Sequence, residues 1–417
     1  RIEGVRIVNH SPTWAQYSVV ATEGVDDFVM KDVELDSNAS IAVKLAGGSA
    51  AGGGQLMRRA LLQRVSATRS GWSGLVSLYT DDTVVRDSVF DRSNADAEFT
   101  GTPQVGGIKA TKNDRMRIIN VRANNNGGPG VWWDQSNYDV VLADSEVSGN
   151  TDSGVFFEIS HGLTMVNTLI ANNTGGPGLQ AGGSSGLKLV NNTLVGGQDV
   201  IKVYTDARSR TYGTDNRPCS EHTVRYRQGG TLSDCNIGYS SDLDQARSGA
   251  YGTVNQTPGM NWMPAIDMMV NNILANPSSS GTCGVVTTVC IIGYLNWNGL
   301  TAQVPTNTIV RPGTVMDGNL YQTGNNLVKV HTASGQAGGF TANSLAAVKG
   351  TSGFGSNFYN KNVETAGKAA PIGTWVTGNG TATATLDGLH DQAYPVPTDP
   401  LVNTYLPAGT RHYGTLS

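Results

Sequence analysis

Two short stretches hold the residues best able to do chemistry: "GVWWDQ" at 130–135 and "GVFFEIS" at 154–160. They read as one phrase written twice, so that Asp134 matches Glu158 at an offset of 24 residues. Two carboxyl groups held side by side cannot both ionise freely, and their unequal protonation is what acid/base catalysis uses. In retaining glycoside hydrolysis such a pair stands about 5–5.5 Å apart. The aromatic pair Trp132 and Phe156 recurs with the acids. An exposed aromatic patch is a binding surface, here one with flat apolar faces for sugar rings.

Something must hold these residues at a fixed interval, and the chain supplies it. "KDVELDS", "VRDSVFD", "IINVRANNN", "ADSEVSGN", "VNTLIANN" and "VNNTLVGG" each place an Asp or Asn before alternating apolar residues. The polar column is Asp32, Asp87, Asn120, Asp144, Asn167 and Asn192, with spacings of 33, 24, 23 and 25 from Asp87 onward. "LLQRVSATRS" fits the earlier gap as one more turn, with Arg64 in the column. A period near 24 with short β-like segments predicts stacked coils of parallel strands, rising about 4.8 Å per coil. An Asn or Asp at each turn can bond backbone N–H groups and accept a left-handed conformation, and stacking would align the amides as a ladder.

Aligning the coil strands by their leading residue gives two sets of columns. Ile108, Val131, Val155, Leu179 and Ile201, with Ala110, Trp133, Phe157, Ala181 and Val203, are apolar or small and should face the core. Lys109, Trp132, Phe156, Gln180 and Lys202, with Thr111, Asp134, Glu158, Gly182 and Tyr204, should face out. Asp134 then lies directly below Glu158, Lys109 and Lys202 bracket the patch, and Gly182 leaves a hollow above Glu158. Like charges on adjacent strands are destabilising and call for compensation. The substrate-binding candidates are Lys109, Trp132, Phe156, His161, Gln180, Lys202 and Tyr204. Asp199, at a coil entrance, reads as a turn residue.

The repeat resembles the right-handed parallel β-helix shared by pectate lyases, polygalacturonases, alginate epimerases and many phage tailspikes. The phrases "GVWWDQ" and "GVFFEIS" resemble more narrowly a group of secreted bacterial β-helix proteins with G-[LV]-W-x-D followed by G-[IV]-F-x-E-I-S. The resemblance implies an all-β solenoid. The polygalacturonase Asn-Thr-Asp with Gly-His-Gly and the pectate lyase Arg-x-Pro-x-x-Arg are both missing, which disfavours those two activities.

The rest of the chain sets the boundaries. Residues 1–205 read as coils, 206–266 as a polar loop insertion packed on the helix, and 267–417 as further coils with an irregular tail, all in one domain. The four cysteines fall in two close pairs, Cys219/Cys235 and Cys283/Cys290, without a metal-binding spacing. Two local disulfides, one inside the insertion, are expected, and with them a secreted, extracellular protein. "TANSLAAVKG" predicts a short helix with Thr341 as its N-cap and Gly350 just past its end. The start, "RIEGVRIVNH", carries neither an initiating Met nor a signal peptide, as expected of a processed form or of a piece with an upstream cap. A net charge of −4 without a Lys/Arg block excludes a nucleic-acid footprint, and no apolar run is long enough for a membrane span.

Three functions follow. The first is a secreted glycoside hydrolase on a polysaccharide or oligosaccharide, without cofactor, with Glu158 as general acid and Asp134 as nucleophile or base. The second is a polysaccharide lyase or uronate epimerase, with Lys109 or Lys202 as base and Ca²⁺ on Asp134 and Glu158. The third is a non-catalytic glycan-binding tailspike or adhesin, for which a homo-oligomer is expected.

Overall fold

The computed structural model describes residues 1–10, 18–47, 57–99, 105–135, 137–204, 266–276, 290–295, 315–323, 326–331, 340–351 and 363–366. They form a parallel β-helix. One sheet takes a single strand from each coil, in order Ser18–Glu23, Ile41–Ala46, Ser73–Leu78, Gly106–Thr111, Val131–Asp134, Val155–Glu158, Leu179–Gly182, Asp199–Tyr204, Cys290–Leu295 and Asn326–His331. All of these pair in parallel. The second sheet takes two segments from most coils, such as Tyr138–Ala143 and Glu146–Ser148, and bends between them. At the far end Phe340–Ala342 adds to the first sheet antiparallel.

The bend between the two segments is the polar corner that the repeat predicts, with its two tasks divided between neighbours. Asp32, Arg64, Asp87, Asn120, Asp144 and Asn167 all hold the left-handed conformation, at φ of 50–54°. The next coil puts Asn191 there, at φ 58°, so the column runs through Asn191 rather than Asn192. Where the residue that follows a corner is polar, it turns inward and builds a ladder. Ser145 Oγ accepts from Val121 N, Asn192 Oδ1 from Thr168 N, Asn272 Oδ1 from Asn192 N and Asn319 Oδ1 from Asn272 N. A second buried ladder runs through Asn126, Asn150 and Asn173 at another corner. The exposed left-handed residue bends the chain; the buried one satisfies backbone groups that the bend leaves over.

The interior is a continuous apolar stack in which both predicted inward columns take part. Trp133 and Phe157 are fully buried and meet edge to face at 6.4 Å. Their coils open on glycine because the corner has no room for a side chain. A Cβ on Gly130 would stand 2.3 Å from Val147 Cγ1, and one on Gly154 2.6 Å from Ile170 Cγ2.

The short helix is Leu345–Lys349. Its N-cap is Ser344, whose side chain accepts from Ala347 N, and Gly350 closes it. Thr341 instead belongs to the terminal strand Phe340–Ala342. Residues 206–265 of the insertion lie outside the described residues, and Ile266, its expected last residue, already opens the strand Ile266–Val270. The two expected disulfides fall outside as well. Cys219, Cys235 and Cys283 are not among the described residues, so the Cys219/Cys235 pair lies wholly beyond them. Of Cys290 the backbone is described, at the start of the strand Cys290–Leu295.

Candidate functional site on the single-strand sheet

The register of this sheet fixes the site. Lys109, Trp132, Phe156, Gln180 and Lys202 are consecutive Cα partners in one column, and Thr111, Asp134, Glu158, Gly182 and Tyr204 in the next. The two acids are therefore neighbours across one rung, on strands Val131–Asp134 and Val155–Glu158.

The face is less open than alternation suggests. Lys109 and Glu158 are only 2% and 3% exposed. Lys109 Nζ donates to Asp134 Oδ2 at 2.8 Å and lies 2.9 Å from the centre of the Trp132 ring. Trp132 Nε1 donates to Glu158 Oε2 at 3.0 Å. Lys109 thus pairs with Asp134, and the indole N–H reaches Glu158. Asp134 Oδ1 is buried and accepts no hydrogen bond among the described residues.

The aromatic pair differs from expectation. Trp132 and Phe156 stack on each other, with ring centres 5.2 Å apart and planes within 13°. Their planes lie across the helix axis, so the Trp132 ring has Phe156 on one side and the Lys109 ammonium on the other. Its flat faces serve the stack; its edge and its N–H serve the site.

The hollow expected above Glu158 is filled. Tyr204 lies across Gly182, and a Cβ on Gly182 would stand 2.3 Å from Tyr204 Cζ and 2.4 Å from its hydroxyl oxygen. Gln180 Nε2 donates to that hydroxyl at 3.3 Å, and Ser153 Oγ donates to Gln180 Oε1 at 2.9 Å. Lys202 Nζ stands 5.7 Å from the Tyr204 ring centre. Burial holds the Lys202 ammonium below the usual lysine range, against the opposing pull of Asp199 and Asp152. Asp199 is not a turn residue. It opens the strand Asp199–Tyr204, is buried, and sets its carboxylate where a Cβ on Gly293 would lie, 2.8 Å from Oδ2. Gly293 is the rung partner of Lys202.

His161 does not join this group. It begins a strand of the other sheet, His161–Val166, stacks on Tyr138 at 5.4 Å, and its Nδ1 is 2.8 Å from Ser185 Oγ. It lines a separate groove of about 390 Å³ with Arg115, Asp139, Thr164 and Lys188. Three residues after Glu158 the chain has already rounded the corner through Ile159, at φ 44°.

The donor set does not fit the Ca²⁺ of the lyase reading. Two carboxylates with an ammonium 2.8 Å from one of them already have their cation, and Ca²⁺ takes six to eight oxygen ligands. Among the described residues no group of three or more His, Cys, Asp or Glu side chains could hold a metal ion.

A second apolar cluster, unanticipated from the sequence, covers the outer face just below the site. Ile41, Trp72, Val76 and Val105 are buried there, with Leu78 and Phe99 packed on them. Trp72 and Phe99 stack at 5.1 Å. Phe99 arrives on an excursion from the coil, and Asn94 fixes it by donating from Nδ2 to Phe99 O and accepting from Phe99 N. Val76 and Leu78 are the rung partners of Lys109 and Thr111. The signal was present: "LVSLY" puts apolar residues in outward columns, which makes sense only if another segment covers them.

Comparison with known proteins bears on this architecture. Residues 18–194 match the family described as the right handed beta helix region. This segment is a right-handed β-helix. No curated protein matches the chain. Among solved structures, one described as the complex of XylC with xylose is 14% identical, with a TM-score of 0.37. The alignment covers 46% of this chain and 35% of that one, so this chain spans about a third of its length. The acid pair lies on two coils within the matched segment. Among the described residues no helix is long and apolar enough to cross a membrane.

Proposed function

We propose that this β-helix is a carbohydrate-active enzyme, a secreted glycoside hydrolase whose acid pair is Asp134 and Glu158. The observation that carries the reading is the placing of two carboxyls on neighbouring rungs of one strand face. Asp134 is paired with the Lys109 ammonium at 2.8 Å. Glu158 is buried, which suits the proton donor of such a pair, and Trp132 Nε1 orients its carboxyl. In this role Glu158 gives its proton to the glycosidic oxygen as the C–O bond breaks. Asp134 offsets the developing positive charge at the sugar carbon, and water supplies the hydroxyl that completes hydrolysis. Gln180, Tyr204 and Lys202 offer polar groups to the sugar hydroxyls.

The test is a panel of neutral and acidic polysaccharides with the wild type, Glu158→Gln and Asp134→Asn, scoring new reducing ends and ultraviolet absorbance together. Reducing ends without absorbance, lost in both variants and unaffected by EDTA, are expected. Full activity in both variants would remove the acid pair from the mechanism.

One observation favours a second reading, a uronan lyase. Lys202 is a lysine held below its usual range by burial, beside Tyr204, as a proton abstractor needs to be. It would take the C5 proton of a uronate as the C4–O bond breaks, leaving an unsaturated end. Absorbance that disappears in Lys202→Met and persists in Glu158→Gln would establish it.

A further inference from the structure

We infer that the acid pair sits in a slot closed at both ends along the helix axis, so that it takes the end of a glycan chain rather than its middle. The inference rests on the carbohydrate reading and deepens it to a class of substrate geometry. At the lower end Lys109 is buried against Trp132. The rung beneath, Val76 and Leu78, lies under the apolar cover that Phe99 and Trp72 complete. At the upper end Tyr204 does not project outward. It lies down across Gly182, held by Gln180, which Ser153 holds in turn. Between the Lys109 rung and the Gly182 rung that Tyr204 covers stand only the rungs of Asp134 and Glu158, three strand spacings or about 14 Å from stop to stop. A short oligosaccharide fills that length, and a polymer lying along the axis would collide with one stop or the other.

Gly182 is the positioning residue of the upper stop. Any side chain there would occupy the space of the Tyr204 ring, within 2.3 Å of Cζ. The ring is the far end of a rotatable side chain, so Gly182→Ala can be accommodated by turning Tyr204 away. Tyr204→Ala removes the same stop by another route, and Tyr204→Phe keeps it while losing the hydroxyl.

The experiment compares viscosity with reducing ends on whichever polysaccharide of the panel the wild type cleaves. The wild type is expected to accumulate reducing ends while viscosity hardly falls. Gly182→Ala and Tyr204→Ala are expected to raise viscosity loss per reducing end several-fold, and Tyr204→Phe to keep the wild-type ratio. In parallel, oligosaccharides of increasing length are titrated by calorimetry. Affinity should stop rising after the first few sugars in the wild type and continue to rise in Tyr204→Ala.

Immediate viscosity loss in the wild type, or affinity that grows steadily with chain length, overturns the closed slot and leaves the acid pair standing. Activity that survives Glu158→Gln with an unchanged chain-end product pattern overturns the acid pair and leaves the slot. Neither turnover nor binding on any glycan overturns both.

Discussion

Two columns of this solenoid treat charge in opposite ways. Along the exposed corner the order is Asp32, Arg64, Asp87, Asn120, Asp144, Asn167. Each acid is followed one rung up by a donor: Arg64 bonds both oxygens of Asp32, Asn120 bonds Asp87, and Asn167 bonds Asp144. Another corner alternates Asp27, Arg59, Asp82 and Arg115, with Arg59 on Asp27 and Arg115 on Asp82. On the site sheet the column reads Thr111, Asp134, Glu158, Gly182. There two acids are consecutive, and the compensating cation, Lys109, comes from the neighbouring column. Asp81 and Asp114 are also partners on adjacent rungs, buried at a corner where Arg115 meets Asp81 at 2.9 Å. The exposed corner columns show the charge order this fold uses when stacking is the only task, and the buried Asp81/Asp114 step departs from it as the site does. The site departs from that order on its strand face, beside a stacked Trp and Phe, and there the departure has a chemical use.

The contrast can be broken most directly at Glu158. If its column served stacking alone, Glu158→Gln would relieve repulsion and leave no other trace. As general acid its loss should lower kcat by about 10³-fold with the fold intact, measured as reducing ends on the responsive polysaccharide. Lys109→Met tests whether the site column needs its borrowed cation. The pair is buried, with side chains 3% and 13% exposed, and breaking it should cost about 3 kcal/mol in urea unfolding. Asn150→Ala asks how much a buried ladder contributes. It removes the acceptor of Asn126 N and the donor to Ala123 O, for an expected loss of about 2 kcal/mol.

The exposed corners should respond weakly, and with opposite signs in pH. Arg115 holds the Asp82 carboxyl below its ordinary 3.8. Its contribution is therefore present above 3.8 and is lost as pH falls through the lower folded value. Asp82→Asn should reduce the acid sensitivity of the thermal midpoint, by less than about 1 kcal/mol because the pair is partly solvated. Burial raises the Asp144 carboxyl above 3.8, against the bond from Asn167. The charged form is then a cost at neutral pH that vanishes on acidification. Asp144→Asn should stabilise by about 0.5 kcal/mol or less at neutral pH and change nothing below pH 3.8. A large loss in either variant would mean that the corners are not the tolerant region of the comparison.

The fold was legible because period, alternation and turn chemistry all pointed one way. The register of Asp134 on Glu158 followed from the leading glycine and a count of 24, and the columns of the site sheet from 108 to 204 pair as that count predicts. The slip from Asn192 to Asn191 shows the limit. "VNNT" offers two asparagines for two adjacent tasks, one exposed and left-handed, one buried and bonding, and composition does not rank them. Alternation gave direction but not exposure, so Lys109 and Glu158 were expected on an open face. Their burial depends on side chains from other rungs. Tyr204 lying over Gly182 and the Trp72–Phe99 cover depend on rotamers and an excursion that no period encodes. His161 follows Glu158 by only three residues, but the corner at Ile159 lies between them and carries it to the other sheet.

The coil period has a further consequence. Strand partners in the described coils lie mostly 23 to 33 residues apart, as in Val131 with Val155 and Val84 with Arg117, and such contacts join only nearest neighbours. A chain built this way can fold in the order in which it is synthesised, each finished coil serving as the template on which the next one settles. The acid pair would come into being as the fifth and sixth strands of the site sheet dock, well before the last coils leave the ribosome.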